Sequence, residues 1–292
     1  MRYLKQTISD FVDDNGQTQA AALAYFSLFA LPPLLLLVIS IAGLAFGREA
    51  AQGKVQAQIQ GLIGSGAASQ ISTMVAKAGQ HSSTGAVATG LGLLALIFGA
   101  TSAFSQLQQS LNTIWRVKPD PKASGIKNFV VGRIFSFGMV VAIGFLLLVS
   151  LVIDTILTGF GGMIKGWLPA GFSEALLHGI TFLVSFIVIS IMFAAIFKVL
   201  PDAAIEWRQV SVGAIATAAL FTVGKFLIGF YLGRSGTASM YGAAGSLVLI
   251  VLWLYYSSII VLVGAEFTRV WSESHGKVIE PKKGAVRVDL AA

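Results

Sequence analysis

Residues 20–47 read AAALAYFSLFALPPLLLLVISIAGLAFG, a stretch without a single charged side chain. A hydrocarbon core about 30 Å thick needs about 20 helical residues to cross it, so this segment can span a bilayer once. It is not read as a cleaved signal peptide, because the apolar run is too long and Asp10, Asp13 and Asp14 precede it. The same pattern recurs along the chain. Further spans are predicted at about 85–104, 134–153, 179–197, 209–232 and 243–267, the fifth interrupted only by Lys225. A barrel would instead show strands of about ten residues with alternating polarity. The expected fold is an all-α polytopic transmembrane bundle of six spans.

Composition points the same way. The chain is 55% hydrophobic and 11% charged, with a mean hydropathy of +0.80, whereas a soluble domain carries about 25% charged residues. No linker divides it. It is read as one membrane domain over residues 20–267, with a cytoplasmic segment at 1–19 and a basic cytoplasmic tail at 268–292. Residues 48–84, between the first two spans, are too many for a turn. Val55, Ile59, Leu62, Ile71 and Val75 recur there at mostly helical spacing, which predicts one or two amphipathic helices on the outer leaflet or over the bundle. The absence of cysteine removes disulfides and thiolate metal sites.

Charge asymmetry sets the expected orientation, because Lys and Arg are retained on the cytoplasmic side. With the N-terminus inside, the cytoplasm receives 14 basic residues: Arg2, Lys5, Arg116, Lys118, Lys122, Lys127, Arg133, Lys198, Arg208, Arg269, Lys277, Lys282, Lys283 and Arg287. The exterior receives five: Arg48, Lys54, Lys77, Lys165 and Arg234. Both termini are therefore expected inside. The net charge of +7 follows from this topology and suits anionic lipid headgroups, so membrane lipids and not nucleic acid are the expected partners.

Several motifs then stand out in order. Ala20-Ala21-Ala22-Leu23-Ala24-Tyr25-Phe26-Ser27-Leu28-Phe29 runs into Pro32-Pro33, and Phe104-Ser105-Gln106-Leu107-Gln108 is continued by Leu111-Asn112-Thr113-Ile114-Trp115-Arg116-Val117. Leu200-Pro201, Trp207-Arg208 and Lys225 follow, then Tyr241-Gly242-Ala243-Ala244-Gly245-Ser246, Trp253, Tyr256 and Gly264-Ala265-Glu266-Phe267. Over nearly the whole chain this series resembles the YihY/BrkB family of bacterial inner-membrane proteins, once labelled "ribonuclease BN". The resemblance implies a multi-pass protein of the cell inner membrane, with envelope lipid transport or solute or ion movement as its role.

The residues themselves give the ribonuclease label no support. Metal-dependent hydrolysis needs clustered carboxylates or histidines, yet His81, His178 and His275 are scattered and no HxH, HxxxH or DxD cluster exists. Phosphate-binding glycine loops and nucleophile elbows are missing too. A non-enzymatic protein without metal or cofactor is expected.

Candidate substrate or transport residues are the ionisable and polar groups within the spans, since a charge at mid-bilayer costs about 2.5–3.5 kcal/mol on the mild insertion scale. Lys225 lies about 24 Å along span five and Asp154 about 30 Å along span three, at 1.5 Å per residue, so the two can approach near the outer face. Equally, Lys225 can snorkel to the interface and Asp154 can end its helix in water. At the inner ends, Gln106, Gln109 and Asn112 share adjoining faces of one helix, with Glu266 and Arg133 at the same depth. A Glu266–Arg133 or Glu266–Arg116 contact would hold this end together. Tyr25 and Ser27 lie on span one, where Ala20, Ala24 and Ser27 form a small-residue stripe for close helix approach. Pro32 and Pro33 remove two helical N–H donors, which predicts a kink or break.

The leading functional expectation is translocation of an envelope lipid or other amphipathic substrate. The alternatives are a structural adaptor that docks an envelope protein partner, and a cation/proton antiporter built on Asp154, Glu266 and Lys225.

Overall fold

Long apolar helices dominate the described part of the chain. The computed structural model describes residues 2–63, 65–80, 86–121, 170–234 and 244–288. Its helices are α1 (Arg2–Asp13), α2 (Gly16–Phe46), α3 (Arg48–Ile63), α4 (Ser65–Gln80), α5 (Ala86–Ile114), α6 (Ala170–Val199), α7 (Trp207–Arg234) and α8 (Gly245–Ser274). Four short strands accompany them: β1 (Val117–Pro119), β2 (Ala203–Ala204), β3 (Glu280–Pro281) and β4 (Ala285–Arg287). Among the described residues, four helical segments are long and apolar enough to cross a membrane: Gly16–Leu44, Gly179–Val199, Trp207–Ile228 and Leu247–Ser274. The expected third span at 134–153 lies outside the described residues, and so do Arg133 and Asp154.

Helix α2 packs along α5 and α8, α7 packs between α6 and α8, and α3 and α4 fold back against α2. The α7–α8 contact is tight. A Cβ added to Gly213 would stand 1.8 Å from Thr268 Oγ1, and one on Gly264 would stand 2.0 Å from Thr217 Oγ1. Both threonine hydroxyls are held in place, donating 2.7 Å bonds to the carbonyls of Gly213 and Gly264, one turn back on their own helices. Two Gly-xxx-Thr units thus interlock reciprocally, small residue against small residue, as close approach of membrane helices requires.

Helix α2 runs without a break through Pro32 and Pro33, where the sequence predicts a kink or break. A proline φ near −65° is compatible with a helix, so the remaining difficulty is the carbonyls of Leu28 and Phe29, which Pro32 and Pro33 leave without helical donors. The Phe29 carbonyl lies 3.1 Å from where a Cβ of Gly99 on α5 would stand. The missing side chain lets the α5 backbone approach it closely. Neighbouring backbone replaces the wet cavity that a freed carbonyl otherwise needs at this depth.

Residues 268–292, read from sequence as a tail, are largely built into the fold. Helix α8 continues to Ser274 with Thr268, Arg269 and Ser272 buried. Beyond it the chain turns back as a strap. Strand β3 pairs antiparallel with β2, Ala203 opposite Pro281, and β4 pairs antiparallel with β1, Val117 opposite Arg287. Both described chain ends therefore lie at one end of the bundle, together with the end of α5 and the α6–α7 connection.

Candidate functional site

That shared end holds the densest set of buried charges among the described residues. It begins with α1, whose Thr7 and Phe11 are buried while Leu4, Ile8 and Val12 point outward at four-residue spacing. The chain turns into α2 through Asn15, left-handed at φ 54°, a conformation asparagine tolerates better than most residues. The turn sets Asp10 and Asp14 against α8 and the end of α5. Arg269 of α8 donates to Asp10 at 2.8 Å, to Glu266 at 3.0 Å and to Glu273 at 3.4 Å. Arg116, also left-handed at φ 57° just beyond α5, reaches Asp14 at 2.9 Å. Glu266 is fully buried.

Glu266 therefore pairs with Arg269 on its own helix, and Arg116 pairs with Asp14, in place of the expected Glu266–Arg116 contact. The spacing explains it: residues three apart on a helix are neighbours, so Arg269 reaches Glu266 without leaving α8. Trp115 completes this end, donating its indole N–H to the Ala265 carbonyl at 3.3 Å and meeting Phe197 edge-on at 5.8 Å.

A second polar hub forms around Asp202. Asn112 clamps it from two sides: its amide donates to Asp202 Oδ2 at 2.7 Å, and the Asp202 N–H donates to Asn112 Oδ1 at 2.8 Å. Gln108 adds a longer contact at 3.4 Å. From the strap, Lys282 donates to the Pro201 carbonyl at 2.7 Å and to those of Val199 and Lys198 at 3.2 and 3.3 Å. An ammonium over the last carbonyls of α6 satisfies acceptors that the helix leaves open and complements its dipole. Burial lowers the Lys282 pKa below its ordinary value, nearby Asp202 opposes this, and Lys198 adds to it.

The other end presents a different surface. A small open cleft lies between α2, α3 and α4. Leu35, Ile39, Val55, Ile59, Ile71 and Val75 supply its apolar wall, while Gln52, Gln56 and Ser72 supply polar groups.

Comparison with known proteins then assigns the chain. The family described as Virulence factor BrkB matches residues 7–288. The chain belongs to the BrkB family. BrkB-type relatives include a UPF0761 membrane protein of Pseudoalteromonas atlantica, 28% identical over 92% of this chain and 85% of its own length. A putative ribonuclease-like protein YfkH of Bacillus subtilis is 24% identical over 91% of this chain and 94% of its own. A UPF0761 membrane protein of Rhodospirillum centenum is 28% identical over 92% of this chain but only 57% of its own length. No solved structure matches. With its apolar helices, this BrkB-family chain is an integral membrane protein.

The predicted site residues of this BrkB protein do not converge on one place. Glu266 and Asn112 sit at the polar end, in separate hubs. Gln106 donates to Ser110 at 3.5 Å, and Gln109 is exposed. Tyr25 is exposed on α2 with its ring against Phe26 and Phe29, and Ser27 is half-buried there. Lys225 is half-buried on α7 with its ammonium 5.3 Å from the Phe226 ring. Sequence reasoning passed over Asp10, Asp14, Asp202, Arg269 and Lys282. A signal existed for some: Asp10 and Asp14 are four apart, and Glu266, Arg269 and Glu273 fall on one face of α8.

Proposed function

We propose that this BrkB-family protein moves an amphipathic envelope lipid across the bacterial inner membrane without catalysing a covalent reaction. The observation that carries the reading is the cleft between α2, α3 and α4, which joins an apolar wall to three polar side chains and is open to its surroundings. Two other features support it. Lys225 stands on α7 beside exposed Val223, Phe226 and Leu227, and a charge kept within a spanning helix suits an anionic headgroup. The outward Leu4, Ile8 and Val12 of α1 suit the boundary between headgroups and chains. In this reading six spans cross the membrane, both termini are cytoplasmic, and α3 and α4 lie outside.

Lipid transfer in reconstituted vesicles tests it. A fluorescent phospholipid placed in one leaflet is expected to reach the other several-fold faster with the protein than without. Filling the cleft with Val75→Trp should remove the acceleration, and Lys225→Met should slow it where Lys225→Arg does not. A wild-type rate equal to that of empty vesicles overturns the lipid reading. Unchanged transfer by Lys225→Met reduces Lys225 to an interfacial anchor. The strap end favours one other reading, an adaptor: Lys118, Arg208, Lys283 and Arg287 are all exposed there, a basic surface for an acidic partner. Stable binding of such a partner by a transfer-inactive protein would support it.

A further inference from the structure

Helix α1 is held in place with an apolar stripe turned away from the bundle. Its Leu4, Ile8 and Val12 are 61%, 60% and 59% exposed, while Thr7 and Phe11 are buried. Residues four apart share one face of a helix, so the three form a stripe about 12 Å long at 1.5 Å per residue. Rotation of α1 cannot hide it. A Cβ on Gly16 would stand 2.2 Å from Phe11 Cε2 and 2.7 Å from the Phe11 carbonyl oxygen, so the α1–α2 turn closes tightly around Phe11. Asp10 is paired with Arg269 of α8 at 2.8 Å, and Asp14 with Arg116 at 2.9 Å. These attachments fix which side of α1 faces out.

Two observations name what covers the stripe. The first is place. Helix α1 ends at Asp13, and the uncharged segment Gly16–Leu44, long and apolar enough to cross a membrane, begins three residues later. The second is charge. Exposed Lys5 lies seven residues, or about two turns, before Val12 and so borders the stripe. Exposed Gln6 and Asp13 fall on the opposite side of α1. Lys118, Arg208, Lys283 and Arg287 are exposed at the same end of the bundle. A helix with an apolar face and basic residues beside it lies in a membrane surface, and anionic headgroups strengthen the attraction.

We propose that α1 docks on the anionic lipid surface of the cytoplasmic leaflet, with Leu4, Ile8 and Val12 among the acyl chains and Lys5 at the headgroups. The lysine stem runs along the chains and carries the ammonium out to the phosphates. The inference rests on the cytoplasmic placement of the N-terminus and holds whether or not the protein moves lipid.

Bromolipid quenching of the full chain in nanodiscs tests it. The chain has no cysteine, so Leu4→Cys, Ile8→Cys and Gln6→Cys can each carry one NBD fluorophore. In discs containing phosphatidylglycerol, lipid brominated on its acyl chains is expected to quench the labels at positions 4 and 8 several-fold more than at position 6. Two stripe positions keep the result readable should one substitution loosen α1. Exchanging phosphatidylglycerol for phosphatidylcholine, or adding Lys5→Gln to Ile8→Cys, should lower the quenching at position 8. No excess over position 6 overturns the proposal: blue-shifted emission would then place a protein surface on the stripe, and red-shifted emission would place water there. Quenching indifferent both to phosphatidylglycerol and to Lys5→Gln overturns the choice of an anionic surface. In intact spheroplasts Gln6→Cys should resist an impermeant maleimide, and its labelling there overturns the cytoplasmic placement. Lipid transfer plays no part in these readouts, so a failure here and a failure of the transport reading are told apart.

Discussion

Replacing Gly264 by Leu is expected to leave little folded protein in the membrane. The Cβ alone would stand 2.0 Å from Thr217 Oγ1 and 2.8 Å from its Cβ. Thr217 cannot simply swing away, because its hydroxyl donates at 2.7 Å to the Gly213 carbonyl. Helices α7 and α8 must then separate, which also disturbs the reciprocal Gly213–Thr268 contact and the approach of Gly224 to Tyr256. Membrane helices are joined by close packing and not by a hydrophobic force between them, so the loss exceeds the about 1–3 kcal/mol usual for overpacking. Fluorescence-detected size-exclusion chromatography should show a collapsed monodisperse peak. The milder Gly264→Ala should be partly rescued by Thr217→Ala, a coupling expected only for groups in contact. Wild-type melting of Gly264→Leu would refute the interlock.

Arg269→Ala is the second large effect. One guanidinium meets Asp10, Glu266 and Glu273, and Glu266 is fully buried. Removing it leaves an excess of carboxyls around the α1–α8 contact with only Arg116 to offset them. Breaking a buried pair from one side costs about 3–5 kcal/mol, because the surviving charge stays desolvated. A melting temperature lower by many degrees is expected, along with faster proteolysis of α1. Arg269→Lys should recover little of this, since an ammonium cannot reproduce three directed contacts from a planar fork. If Arg269→Ala melts like the wild type, the buried cluster does not hold α1.

The helices were legible because uncharged length is a strong signal: the runs around 179–197 and 209–232 fall within described helices, and those around 20–47 and 243–267 overlap α2 and α8 over most of their length. Their partners were not. A count of Lys and Arg treats Arg269 and Lys282 alike as cytoplasmic charge, yet one is buried in an acidic cluster and the other caps α6. Nothing local in residues 275–288 announces two strand pairings, because each pairing partner lies about 80 or 170 residues away and strands this short have no periodicity to read. Pro32 and Pro33 are a related case. Local chemistry predicts a disturbed helix, while the remedy, a glycine on α5, is visible only after folding.

The orientation of the polar end is the claim on which the rest depends. The chain contains no cysteine, so single cysteines introduced at exposed Gln52, Lys118, Glu206 and Lys283 give clean labelling. Intact spheroplasts are treated with a membrane-impermeant maleimide, then compared with permeabilised ones. Gln52→Cys should label in intact spheroplasts, while Lys118→Cys, Glu206→Cys and Lys283→Cys should label only after permeabilisation. Labelling of Lys283→Cys in intact spheroplasts, with Gln52→Cys protected, would contradict the account.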